Sequence, residues 1–64
     1  MTVFVISRGE YREGLNVVGV ACSLFKAIEL ALSQEHHFGY WQKVEDWEWK
    51  SGCDCVTIES WEVQ

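Results

Sequence analysis

The chain has 64 residues and a net charge of −5; 48% of it is hydrophobic, 14% aromatic, and Pro is absent. That composition excludes a disordered segment or a proline-rich linker, and the length leaves room for one small domain, residues 1–64. No apolar run approaches the roughly 18 residues of a membrane span, and Met1-Thr2-Val3-Phe4 lacks a signal peptide's basic start, so a cytoplasmic protein without membrane contact is expected.

Thr2 to Ser7 opens the chain with consecutive apolar, largely β-branched residues, the pattern of a central strand covered on both faces. Arg8 to Gly14 is polar and holds two glycines, which suits a hairpin loop. Leu15 to Ala21 reads as a second strand, with Gly19 marking a bulge or a close backbone approach. Ser23 offers an N-cap oxygen, and a helix is expected over Leu24 to Ser33. Lys26, Glu29 and Ser33 fall on its polar face; Leu24, Ala27, Ile28, Ala31 and Leu32 fall on the remainder.

Residues 38–49 fit two templates. Trp41, Lys43, Glu45, Trp47 and Trp49 share a face if the backbone is extended, whereas Phe38, Trp41 and Val44 share one if it is helical. Aromatic enrichment favours the strand. Ser51-Gly52 signals a turn, and Cys55 to Val63 closes the chain as a strand. Val56 and Ile58 alternate, then Trp61 and Val63 continue out of phase, which predicts a bulge near Glu59-Ser60 or a change of covered face there. The expected fold is α+β: one amphipathic helix on a three- to four-stranded, mainly antiparallel sheet in ββαββ order.

Gly9-Glu10-Tyr11 after the first strand, Val17 to Ser23 leading into a helix with Lys26-Ala27, and a closing Ile58-Glu59-Ser60-Trp61-Glu62-Val63 together resemble small uncharacterised proteins of bacteriophage and prophage genomes. The resemblance covers residues 3–33 and 55–63, and its motifs are structural. It implies a phage-type protein acting in the host cytoplasm, possessing no family activity that can be carried over and interfering with a host process. Residues 36–54 depart from the pattern.

Charge is divided unevenly. Residues 1–34 balance Arg8, Arg12 and Lys26 against Glu10, Glu13 and Glu29, so the whole −5 sits in residues 35–64. An acidic field repels phosphate backbones, so direct nucleic-acid binding is not expected, and it attracts basic protein surfaces. Tyr40, Trp41, Trp47, Trp49 and Trp61 lie in that half beside Glu45, Asp46 and Glu48, and Trp and Tyr carry much interface energy. These eight residues are the candidate partner-binding set. Some of the aromatics are needed to fill a core so poor in Leu and Ile.

Cys53 and Cys55, with His37, are weak metal candidates on a strand that would put both sulfurs on one side; no metal or cofactor is expected. No nucleophile elbow, phosphate-binding loop or zinc-protease motif is present, and no enzyme is expected. The leading expectation is an accessory protein that binds and inhibits a host or defence-system protein. Two alternatives are an oligomer that sequesters a nucleotide-type ligand through Arg8, Tyr11 and Arg12, and a self-associating structural or regulatory domain. A homodimer or larger assembly is expected, its two-fold contact made by Trp47, Trp49 or Trp61, because one short helix cannot cover both faces of a sheet.

Overall fold

The computed structural model describes residues 1–10, 13–35 and 39–64. The elements are β1 (Thr2–Glu10), β2 (Gly14–Ala21), α1 (Leu24–Leu32), β3 (Gln42–Glu45), β4 (Glu48–Ser51) and β5 (Asp54–Glu62). The strands form one antiparallel sheet in the order β2-β1-β5-β4-β3. This corrects the expected three- to four-stranded ββαββ fold. The sheet has five strands, and with 58% of the described residues in strands and 15% in the helix this is a small β-rich fold rather than an α+β sandwich.

The extra strand comes from the segment whose periodicity was ambiguous. Gln42–Glu45 and Glu48–Ser51 pair across a turn at Asp46-Trp47, so one aromatic run supplies two short strands. The tight turns favoured in two-residue hairpins use backbone with φ > 0, and Trp47 takes it at φ 64°, where Gly or Asn is usual. Composition gives no warning of that turn.

β1 lies between β2 and β5, as its unbroken apolar run suggested, but α1 covers only one of its faces. Side chains alternate along a strand, so Phe4 and Ile6 meet the helix while Val3 and Val5 point the other way. The β1–β2 ladder runs Ile6↔Gly19 and then Ser7↔Val17, which leaves Val18 as an extra residue in a bulge. A side chain at Gly19 would collide with Leu30 of the helix, so the same glycine marks both the bulge and a close approach. The β1–β5 ladder is unbroken from Thr2↔Glu62 to Glu10↔Asp54. Hence no bulge occurs at Glu59-Ser60; the covered face changes instead, with Val56 and Ile58 under α1 and Trp61 on the far side.

The helix forms where Ser23 caps it: the Ser23 Oγ accepts from the Lys26 N–H at 3.2 Å. It ends at Ser33, whose hydroxyl donates to the Leu30 carbonyl at 2.7 Å. Ala27 and Ala31 let the helix lie close on the sheet, and the core comprises these two with Ile6, Trp49, Val56 and Ile58. Phe4, Ile28, Leu30, Trp41 and Trp47 pack around it. No helix among the described residues is long and apolar enough to cross a membrane.

Candidate protein-binding face

The sheet face opposite α1 carries no second layer among the described residues. Register determines what lies on it. Val20 pairs with Val5, and Val5 pairs with Glu59; Val3 pairs with Trp61; Val17 pairs with Ser7, and Leu15 with Gly9. Leu15, Val17, Val20, Val3, Val5 and Trp61 therefore share one face, spread over β2, β1 and the end of β5. Val17 is 63% exposed, Val20 58% and Trp61 56%. A contiguous apolar patch on the order of a few hundred Å² on so small a protein marks a contact surface more often than chance.

Beyond β1 the same face turns acidic. Glu48 pairs with Thr57, which places it diagonally beside Glu59, and Glu45 lies directly across from Glu48. Lys50, across from Cys55, is a basic residue of β4 on this side. Asp46, at the adjoining turn, is exposed and pairs with Lys43 at 3.2 Å. Facing carboxylates at Glu45 and Glu48 disfavour the hairpin by a fraction of a kcal/mol, about 0.2–1. One face thus has an apolar half and an acidic half.

The aromatic candidates separate into two groups. Trp49 is buried in the core, and Trp41 packs against it while its indole N–H donates to the Gln34 carbonyl at 3.1 Å. Trp47 stands edge-on to Phe4, ring centroids 6.0 Å apart at 87°, and its carbonyl accepts the Ile58 N–H at 2.9 Å. These three hold the fold together. Trp61 lies on the open face, and Tyr40 is 85% exposed just before β3. Glu45 and Glu48 share the open face with Trp61. The residues that sequence reasoning left out are Leu15, Val17, Val18 and Val20: an aliphatic run reads as a buried strand, and only its place at the sheet margin exposes it.

Arg8 is not available to a phosphate. Its guanidinium donates to the Glu35 carbonyl, through Nε at 2.9 Å, and meets the Asp54 carboxylate at 3.3 Å. Tyr11 and Arg12, the rest of that candidate set, lie outside the described residues, as do His36 and His37. Cys55 is half-buried on β5 and its Sγ lies 3.5 Å from the Gly9 carbonyl. Cys53 precedes the first residue of β5 and sits exposed in the turn, so the two sulfurs do not share a strand face as expected. No group of three or more His, Cys, Asp or Glu that could hold a metal occurs among the described residues.

The chain matches no protein-family model, and no match to it is found among curated proteins or solved structures.

Proposed function

We propose that this chain is a small phage-type accessory protein that binds and inhibits a host or defence-system protein, working in the host cytoplasm. The observation that supports this reading is the division of the uncovered sheet face into an apolar half and an acidic half. The apolar half, with Trp61 and Val5, supplies the area that excludes water from a contact. Glu45, Glu48 and Glu59 select a partner that presents basic side chains beside an apolar patch, and they speed the encounter by long-range attraction. The phage resemblance of residues 3–33 and 55–63 supplies the class of target. Binding is the activity; no bond is made or broken.

The test is capture of a partner from host lysate on the immobilised chain, followed by kinetics with the purified partner. Trp61→Ala is expected to raise the dissociation rate at least tenfold, and the double variant Glu48→Lys/Glu59→Lys to abolish the salt dependence of association. A partner held equally well by both variants would sink the proposal. Those substitutions lie on β4 and β5, away from the helix-side core, and circular dichroism checks that each variant folds.

A further inference from the structure

We infer that β2 is a self-pairing edge, along which a second copy of this chain adds antiparallel to form one continuous sheet. The two margins of the sheet are built on opposite principles. β3 is four residues long, carries Lys43 and Glu45, and is bulged at Val44. Short length, charge and a bulge are the usual devices that stop an edge from pairing. β2 is twice as long, and Gly14-Leu-Asn-Val-Val-Gly-Val-Ala21 holds no charged residue and no Pro. Its bulge at Val18 leaves arms of regular strand on either side, Gly14–Val17 and Gly19–Ala21. Among the described residues β2 pairs with β1 alone, so a row of its backbone N–H and C=O groups faces outward.

Charge identifies the occupant. A basic partner is drawn to the acidic end of the sheet, not to this margin. Residues 1–34 are neutral in sum, and the nearest strand to β2 with a net charge is β5, which carries Asp54, Glu59 and Glu62 two strand spacings away. In two copies joined along β2 the β5 strands lie five spacings apart, about 24 Å, which exceeds two Debye lengths at physiological salt. Two-fold pairing also sets Leu15, Val17 and Val20 of both copies side by side on the open face, where cross-strand aliphatic contacts reinforce the ladder. Beside β2 on the helix side runs an open groove of about 570 Å³ lined by Val20, Ala21, Cys22, Lys26, Glu29 and Leu30, so among the described residues no element fills the space beside this end of β2.

Of the three dimer contacts expected from the sequence, Trp47 and Trp49 are engaged in their own fold and Trp61 lies on the open face; the β2 ladder is a separate contact. The inference does not depend on what the open face binds. Sedimentation velocity tests it, with Val18→Lys against Val44→Lys. Both residues are half-exposed bulge positions, one on each margin. Wild type and Val44→Lys are expected to sediment at twice 7.4 kDa, and Val18→Lys at 7.4 kDa with an unchanged circular dichroism spectrum. Amide exchange along β2 is expected to slow at least tenfold as the wild-type chain is concentrated, a reading that needs no variant. A wild-type monomer at all concentrations overturns the inference. So does a dimer that Val18→Lys leaves intact, or a dimer whose β2 amides exchange at the monomer's rate.

Discussion

Arg8 and Asp54 sit on neighbouring strands in diagonal register, and the guanidinium meets a carboxylate that is only 2% exposed, at 3.3 Å. The same guanidinium holds the Glu35 carbonyl just beyond α1, so one side chain ties the exit of the helix to the centre of the sheet. Removing one member of a buried ion pair costs more than the pair is worth, because its partner stays desolvated. Arg8 is partly exposed, which lowers the penalty, and Arg8→Ala is expected to cost about 2 kcal/mol. Urea unfolding monitored by Trp fluorescence measures it, and a loss below about 0.5 kcal/mol would mean that water replaces the guanidinium at little cost.

Trp47 inverts a familiar ranking. Its backbone is left-handed at φ 64°, which any residue with a Cβ adopts at a penalty, while its ring is held edge-on against Phe4. Trp47→Ala loses the ring and keeps the penalty, for a cost of about 2–3 kcal/mol. Trp47→Gly loses the ring but relaxes the backbone, and is expected to be the more stable variant by about 1 kcal/mol. Thermal melts of the two side by side decide the order.

Two glycines make contrasting demands. A methyl at Gly9 would run into the Gly14 carbonyl, which belongs to the neighbouring strand and cannot move without breaking the ladder. A methyl at Gly19 would meet only the end of the Leu30 side chain, which has other rotamers. Gly9→Ala is therefore expected to cost about 3 kcal/mol and Gly19→Ala about 1 kcal/mol. Equal losses in denaturant titrations would show that α1 is as rigid as the sheet at that contact.

Glu45 and Glu48 face each other across the β3–β4 ladder, an arrangement that stability alone disfavours. Glu45→Gln removes the repulsion and is expected to stabilise the chain by about 0.5 kcal/mol, with the gain shrinking as salt is added. Calorimetry at low and high ionic strength reads both effects. Under the proposed function the same substitution slows association with a basic partner.

The parts of the fold most legible in the sequence were those encoded locally. Ser23 announced the helix start because its oxygen serves the backbone three residues on. Val3 to Ile6 read as an interior strand because the run is apolar without polar alternation, and the strand order places β1 between two neighbours. What was illegible depends on long-range register. Trp61 falls on the open face only because β5 pairs with β1 without a bulge, and Trp49 is core because it pairs with Val56. Charge counting found Glu45 and Glu48 as surface groups, yet the aliphatic half of the face stayed hidden. Val17 and Val20 look like core residues until the strand order makes β2 an edge.

The central strand pair also decides how the chain must fold. β1 and β5 come from opposite ends of the sequence, and their ladder extends to the termini, where the Val63 N–H donates to the Met1 carbonyl at 2.7 Å. The β3–β4 hairpin and the capped helix can form from neighbours, but Ile6 gains Ile58 only after a long loop closes. For a loop of ~50 residues the length-dependent part of that closure is about 3.5 kcal/mol of chain entropy, met before the core repays it. During synthesis β1 emerges first and waits for β5, with Phe4 and Ile6 uncovered and both of its edges open until β2 occupies one. Refolding in milliseconds to seconds rather than microseconds is what such a topology imposes. A short linker joining the two ends turns that slow, distant pairing into a hairpin.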